Sequence, residues 1–170
     1  GIRPTSIIRA VFSTIFKGDS QGGSTITQQV IKNSLLTQEK SVTRKFKEWI
    51  LSIKVDRTLG KDEILALYLN ENPYGGAIYG VQEASQSYFK KNPADLTVAE
   101  AAYLAAIPQS PTQYSPYGKN LDRLENRKNQ VLKNMFDQGY LSQEEYTAAK
   151  AEVVVFQPKE QVGIKAPHFV

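Results

Sequence analysis

The 170 residues carry 21 Lys and Arg against 17 Asp and Glu, a net charge of +4 and a pI near 9.2, which biases the chain mildly towards anionic partners. Cysteine is absent and the one histidine is His168, so thiol chemistry, thiolate metal sites and disulfides are excluded, and a histidine triad or multi-histidine metal site is argued against. A length of this order suits one domain with one core, an apolar content of 41% argues against disorder, and no apolar run approaches the roughly 18 residues of a membrane span. The chain opens on Gly1 rather than Met, and residues upstream of it are expected.

In chain order the helical period dominates. Ile7, Ile8, Val11, Phe12, Ile15 and Phe16 share one helix face that Gly18 would end. Gly22-Gly23 makes a turn, and Thr25 with Gln28 spells a capping box for a helix through about Ser34. Val42, Phe46, Trp49, Ile50 and Ile53 form the stripe of the next helix, closed near Gly60. A short helix over 61–70 is cut by Pro73 and the Tyr74-Gly75-Gly76 turn, and another is expected over 84–89. Thr97 and Glu100 cap an alanine-rich helix that must stop before Pro108, and the prolines at 108, 111 and 116 mark a surface loop. A helix over 122–138 ends at Gly139, and Ser142 with Glu145 caps the last one. Only Val153 to Phe156 reads as strand. The fold class is therefore all-α, or α-rich: one domain over 1–157, with 158–170 as the start of a linker.

Two stretches carry candidate chemistry. Between Lys40 and Lys61 lie Lys40, Arg44, Lys45, Lys47, Lys54, Arg57 and Lys61, opposed only by Glu48 and Asp56. Arg44 and Glu48 share one side of a helix, opposite the stripe around Phe46 and Ile53. Such a side is either a solvated face with an i,i+4 ion pair or, with Lys32 from the preceding helix, a cradle for a phosphate or pyrophosphate. Upstream, Gly22-Gly23-Ser24-Thr25-Ile26-Thr27-Gln28-Gln29 concentrates hydroxyls and amides at a helix N-terminus, where backbone N–H groups favour anions. The terminal Lys-Ser/Thr of a nucleotide phosphate loop is missing there. A glycine turn with an N-cap would equally account for the stretch.

These residues resemble the peptidoglycan glycosyltransferases, glycosyltransferase family 51, which form the N-terminal domain of class A penicillin-binding proteins. Residues 22–29 are similar to the family's second motif, and Arg44-Lys45-Phe46-Lys47-Glu48 to its Arg-Lys-x-x-Glu motif. Lys61 to Asn70 follows Lys-x-x-Ile-Leu-x-x-Tyr-Leu-Asn, and Arg127 with Val131-Leu132 follows Arg-x-x-x-Val-Leu. Four motifs occur in order over residues 22–132.

The resemblance implies a lysozyme-like domain with a small membrane-facing lobe that polymerises lipid II into glycan strands, with inversion and release of undecaprenyl pyrophosphate. It implies Lys32, Lys40, Arg44, Lys45, Lys47 and Arg127 as the cations for the leaving diphosphate. Ser24, Thr25, Gln28 and Gln29 would bind sugar hydroxyls or phosphate oxygens, or shape the cleft wall. Glu48 matches the second catalytic glutamate, which orients those cations or assists the leaving group, while Tyr68 and Asn70 buttress the cleft. The first motif, with its catalytic base, is absent: Gly1 is similar to that motif's closing glycine, so the base is expected about ten residues upstream, and Asp19 does not match it.

No metal site and no obligatory cofactor are implied, with a divalent cation, Mg or Mn, left open. The implied partners are lipid II, the growing strand, the inhibitor moenomycin, and a membrane surface met through residues 7–16, unless that helix packs as core. The implied location is the outer face of the bacterial cytoplasmic membrane. The tail Ala166-Pro167-His168-Phe169-Val170 resembles the exit towards a transpeptidase domain. Two other readings stand beside this one. A basic helical nucleic-acid module lacks interleaved aromatics and a reader pattern. A lysozyme-like glycan-cleaving enzyme has no use for a pyrophosphate cradle.

Overall fold

The computed structural model describes residues 25–34 and 42–159, without the side chains of Ser34, Val42 and Arg44. They form α1 (Ile26–Ser34), α2 (Val42–Thr58), α3 (Lys61–Glu71), β1 (Pro73–Gly75), β2 (Ile78–Tyr79), α4 (Val81–Phe89), α5 (Val98–Ala106), α6 (Leu121–Asp137) and α7 (Gln143–Ala151). Short 3-10 turns lie at Pro93–Asp95 and Ile107–Gln109. The α-rich reading holds. The helix expected over residues 7–16, the Gly22-Gly23 turn and His168 lie outside the described residues.

The core is built around α5. Every residue from Ala99 to Ile107 is buried, and a helix so nearly apolar all round belongs at the centre of a fold, its one charged residue, Glu100, being met by Lys91 Nζ at 2.8 Å. Its alanines let α6 approach closely, and α6 answers with Leu124, Val131, Leu132 and Met135 on one face. The Thr97–Glu100 capping box forms as read: Thr97 Oγ1 accepts from Glu100 N at 3.2 Å, and Glu100 Oε2 accepts from Thr97 N at 2.8 Å. The same hydroxyl donates to Glu152 Oε1 at 2.7 Å, tying the start of α5 to the chain after α7. Thr97→Ala removes cap and tie together and is expected to cost about 1–2 kcal/mol in urea unfolding, with Thr97→Ser recovering most of it.

The turn between α3 and α4 depends on glycine. Gly80 has φ +80°, and a Cβ there would lie 2.9 Å from the Asn70 carbonyl oxygen, so the chain passes tightly behind the end of α3. This close return seats Tyr74 and Tyr88 in the core, where the Tyr88 hydroxyl donates to the Tyr74 carbonyl at 2.6 Å and burial pushes that hydroxyl's pKa up.

The structure corrects three expectations. The strands lie at 73–75 and 78–79, as an irregular antiparallel pair, and not at 153–156. Residues 153–156 do alternate, with Val153 and Val155 exposed and Val154 and Phe156 packed on the core, but no neighbouring strand is placed beside them among the described residues. Phe156 instead docks edge-on against Tyr103, and Gln157 N donates to the Tyr88 carbonyl at 2.9 Å. The 108–118 loop is not wholly superficial, since Pro116 is buried and Tyr114 and Tyr117 pack on the core.

The third correction concerns α2. Its apolar row stands in solvent: Phe46 is 59% exposed, Trp49 54%, Ile50 48% and Ile53 38%. Its buried side holds Glu48 and Ser52, flanked by Leu51 and Val55. The side read as a solvated alternative is the one that meets α1, anchored by Thr27 Oγ1 donating to Asp56 Oδ1 at 2.6 Å. Periodicity gave the two sides correctly and left open which of them the fold covers.

Candidate active site

The site residues are carried by α1, α2, α3 and α6, and the first three form one packed unit with α1 lying on both others. At the head of α1, Thr25 Oγ1 accepts from Gln28 N at 3.3 Å and Gln28 Oε1 accepts from Thr25 N at 3.2 Å. The capping box read from the sequence therefore folds the Gln28 side chain back over the helix start. Gln29 is half-buried one position on, and Lys32 is exposed in the last turn, where a cation suits the helix dipole.

On α2, the Glu48 carboxylate is 1% exposed, while Lys45, one turn earlier, reaches it with Nζ 3.0 Å from Oε2 and remains 55% exposed. A buried carboxylate thus fixes a cation at the surface above it. Taking a charge out of water is expensive, so Glu48 is held there by partners and is not tolerated by default. Lys47 is exposed about 100° around the helix from Glu48. Ser24, Lys40 and the side chain of Arg44 lie outside the described residues, and with them the proposed Arg44–Glu48 pair.

Arg127 stands half-buried on α6. Burial pushes the Tyr68 hydroxyl up to about 12, while the Asn72 side chain and the Arg127 charge pull it the other way. Tyr68 is 4% exposed and lies in the core, whereas Asn70 stands exposed at the end of α3. Asn72, which caps α3, accepts from Asn33 Nδ2 on α1 at 2.8 Å. The sequence reading missed Asn33, Asp56 and Asn72, because a single polar residue at a helix end announces no tertiary partner.

A second cluster on α6 was also missed. Lys128 is fully buried, with Nζ 2.6 Å from Glu125 Oε1 and 5.1 Å from the centre of the Tyr103 ring. The Tyr103 hydroxyl donates to the other Glu125 oxygen. Among the described residues, no group of three acidic or histidine side chains is placed to hold a metal ion, and no helix is long and apolar enough to cross a membrane.

Comparison with known proteins agrees with this arrangement of motifs. The transglycosylase family model matches residues 1–136. Penicillin-binding protein 1A of Haemophilus influenzae is 45% identical over 156 residues, covering 91% of this chain and 18% of its own length. Penicillin-binding protein 1F of Bacillus subtilis is 44% identical over 162 residues, covering 95% of this chain and 22% of its own length. The chain therefore spans about a fifth of the length of the curated relatives it matches. A crystal structure of the Haemophilus influenzae penicillin-binding protein 1A superposes with a TM-score of 0.50 at 31% identity, over 84% of this chain and 18% of that one. With the family matched over residues 1–136 and relatives this similar, the chain belongs to the transglycosylase family.

Proposed function

We propose that the chain is a peptidoglycan glycosyltransferase that polymerises lipid II into glycan strands at the outer face of the bacterial cytoplasmic membrane. In this reading the catalytic base of the family's first motif takes the proton from the acceptor's 4-hydroxyl, and that oxygen attacks C1 of the donor sugar with inversion. The C1–oxygen bond to undecaprenyl pyrophosphate breaks, and the bonding pair leaves with the diphosphate. Negative charge grows on that leaving group, and preset cations lower the barrier because they need no reorganisation as the charge develops.

The observation that carries the reading is the Lys45–Glu48 pair, a surface ammonium fixed at 3.0 Å by a buried carboxylate within the Arg-Lys-x-x-Glu segment. Arg127 and Lys32, with Lys40, Arg44 and Lys47, complete the proposed cation set. Ser24, Thr25, Gln28 and Gln29 are assigned to sugar hydroxyls, phosphate oxygens or the shape of the cleft wall. Glu48 orients the cations and does not take the acceptor's proton.

Labelled lipid II incubated with the full-length protein tests this. Glycan ladders that vanish with moenomycin support polymerisation. Shortened preformed glycan would assign cleavage instead, and salt-sensitive DNA binding with lipid II unchanged would assign a nucleic-acid role. Ladder formation in excess chelator decides whether Mg or Mn takes part.

The exposed row of α2 supports the membrane part of the proposal, together with residues 7–16. Phe46, Trp49, Ile50 and Ile53 face solvent, and Lys45, Lys47, Lys54 and Arg57 are exposed on the same helix, the composition of a helix lying in an anionic lipid interface. Trp49 is the one tryptophan of the chain and reports directly. Its emission is expected to shift to shorter wavelength on adding phosphatidylglycerol vesicles, less so at high salt, and Ile50→Glu is expected to suppress the shift. Emission unchanged by vesicles would reject this contact.

A further inference from the structure

In the proposed site α1 supplies Gln28, Gln29 and Lys32, and α2 supplies Lys45 and Glu48. A leaving diphosphate meets both sets only if the two helices keep one register. Ile26, Val30 and Ile31 bury α1, but apolar contact is non-directional and holds a helix down without fixing its place along the axis. A slip of one residue moves every side chain of α1 by about 1.5 Å and turns it by about 100°, which aims Lys32 elsewhere.

One polar pair between these helices is directional. Thr27, in the first turn of α1, is 6% exposed, and its Oγ1 donates at 2.6 Å to Asp56 Oδ1 in the last turn of α2. Neither residue suits its own helix: an acid in the last turn of α2 opposes that helix's dipole, and threonine is among the weaker helix formers. A threonine hydroxyl has one proton to give, and in a helix it commonly goes to a carbonyl one turn back, whereas here it crosses to α2. Seen from α1, the same carboxylate stands beside a helix start, where the dipole favours an anion. Glu48, Ser52 and Asp56 recur every fourth residue and so share one side of α2. The pair therefore ties the side of α2 that carries Glu48 to the head of α1.

We propose that Thr27 and Asp56 are positioning residues that set the register of α1 on α2, and with it the place of Gln28 and Lys32 relative to Lys45. The proposal rests on the glycosyltransferase reading, which gives those groups a common substrate. Neither Thr27 nor Asp56 touches that substrate, and both act through the helices they join.

A double-mutant cycle in the full-length protein, read as lipid II polymerisation per folded molecule, tests the pair. Thr27→Val keeps the shape and removes the donor, and Asp56→Ala removes the acceptor. Each is expected to lower kcat about five-fold with KM changed less than about two-fold, and the double variant to lose no more than either single one, as coupled residues do. Thr27→Ser restores the donor and is expected to bring kcat back to within about two-fold of wild type. Should Thr27→Val or Asp56→Ala fail to fold, Asp56→Asn takes its place, its weaker neutral acceptor being expected to lower kcat about two-fold. Unchanged kcat in the folded variants, or losses that multiply in the double one, overturns the proposal while the function stands. A wild-type protein that makes no glycan overturns the functional reading, and this inference with it.

Discussion

Glu48→Gln is expected to lower glycan synthesis about 10²–10³-fold, with little change in melting temperature, because it removes charge while keeping shape. The carboxylate is 1% exposed and holds Lys45 Nζ at 3.0 Å, so its electrostatic influence acts in a medium that screens poorly. A neutral amide holds the ammonium less firmly, and the cation then spends part of its time in water away from the departing diphosphate. The loss is expected in kcat more than in KM, since the charge that needs the cation develops only as the bond breaks. Lys45→Met is expected to move the rate in the same direction. A Glu48→Gln enzyme of undiminished rate would remove Glu48 from the mechanism.

Lys128→Ala is expected to produce the largest stability loss, about 2–4 kcal/mol, from a vacated side-chain volume and a lost charged hydrogen bond. For a chain of this size that is a fall of roughly 5–12 °C in melting temperature, and Lys128→Met, which refills the volume, should lose much less. The Lys128 side chain is fully buried, with its ammonium 5.1 Å from the centre of the Tyr103 ring, whereas Glu125 is 42% exposed and can turn to water when its partner goes. The loss is therefore expected to be mainly one of packing.

The pH dependence separates the two contributions. Partial burial raises the Glu125 carboxyl, but hydrogen bonds from Lys128 and Tyr103, the Lys128 charge and Asn129 outweigh it and hold it below the usual carboxylate range. A carboxyl depressed in the fold adds stability above its unfolded value, about 4.3, and loses it as pH falls through the lower folded value. Thermal melts of wild type and Lys128→Met should therefore converge as pH drops below about 4. Curves that stay parallel would show that the ion pair contributes nothing.

Much of the helical framework was legible. Thr25 with Gln28, Thr97 with Glu100 and Ser142 with Glu145 all form the reciprocal caps that their spacing spells, because a cap is decided within four residues. The expected strand failed for a matching reason: alternation at 153–156 is local, but a strand needs a neighbour that only the fold can bring. Phe156 found aromatic partners instead. The site was legible as motifs and not as contacts. The Arg-Lys-x-x-Glu segment marked Glu48 without showing that it is buried, and nothing near Asn72 pointed to Asn33, 39 residues away.

The sequence by itself determined the described helices, although it placed the start of α4 three residues late, at 84 rather than Val81, along with which residues share a side of each and the family to which the ordered motifs belong. Tertiary structure alone decided which side of α2 is covered, that Lys128 lies inside, and that Asn33 meets Asn72. The physical reason is one of range. Caps and periodicity are settled by bonds within one or two turns, whereas burial and polar pairing are settled by whichever distant element packs alongside.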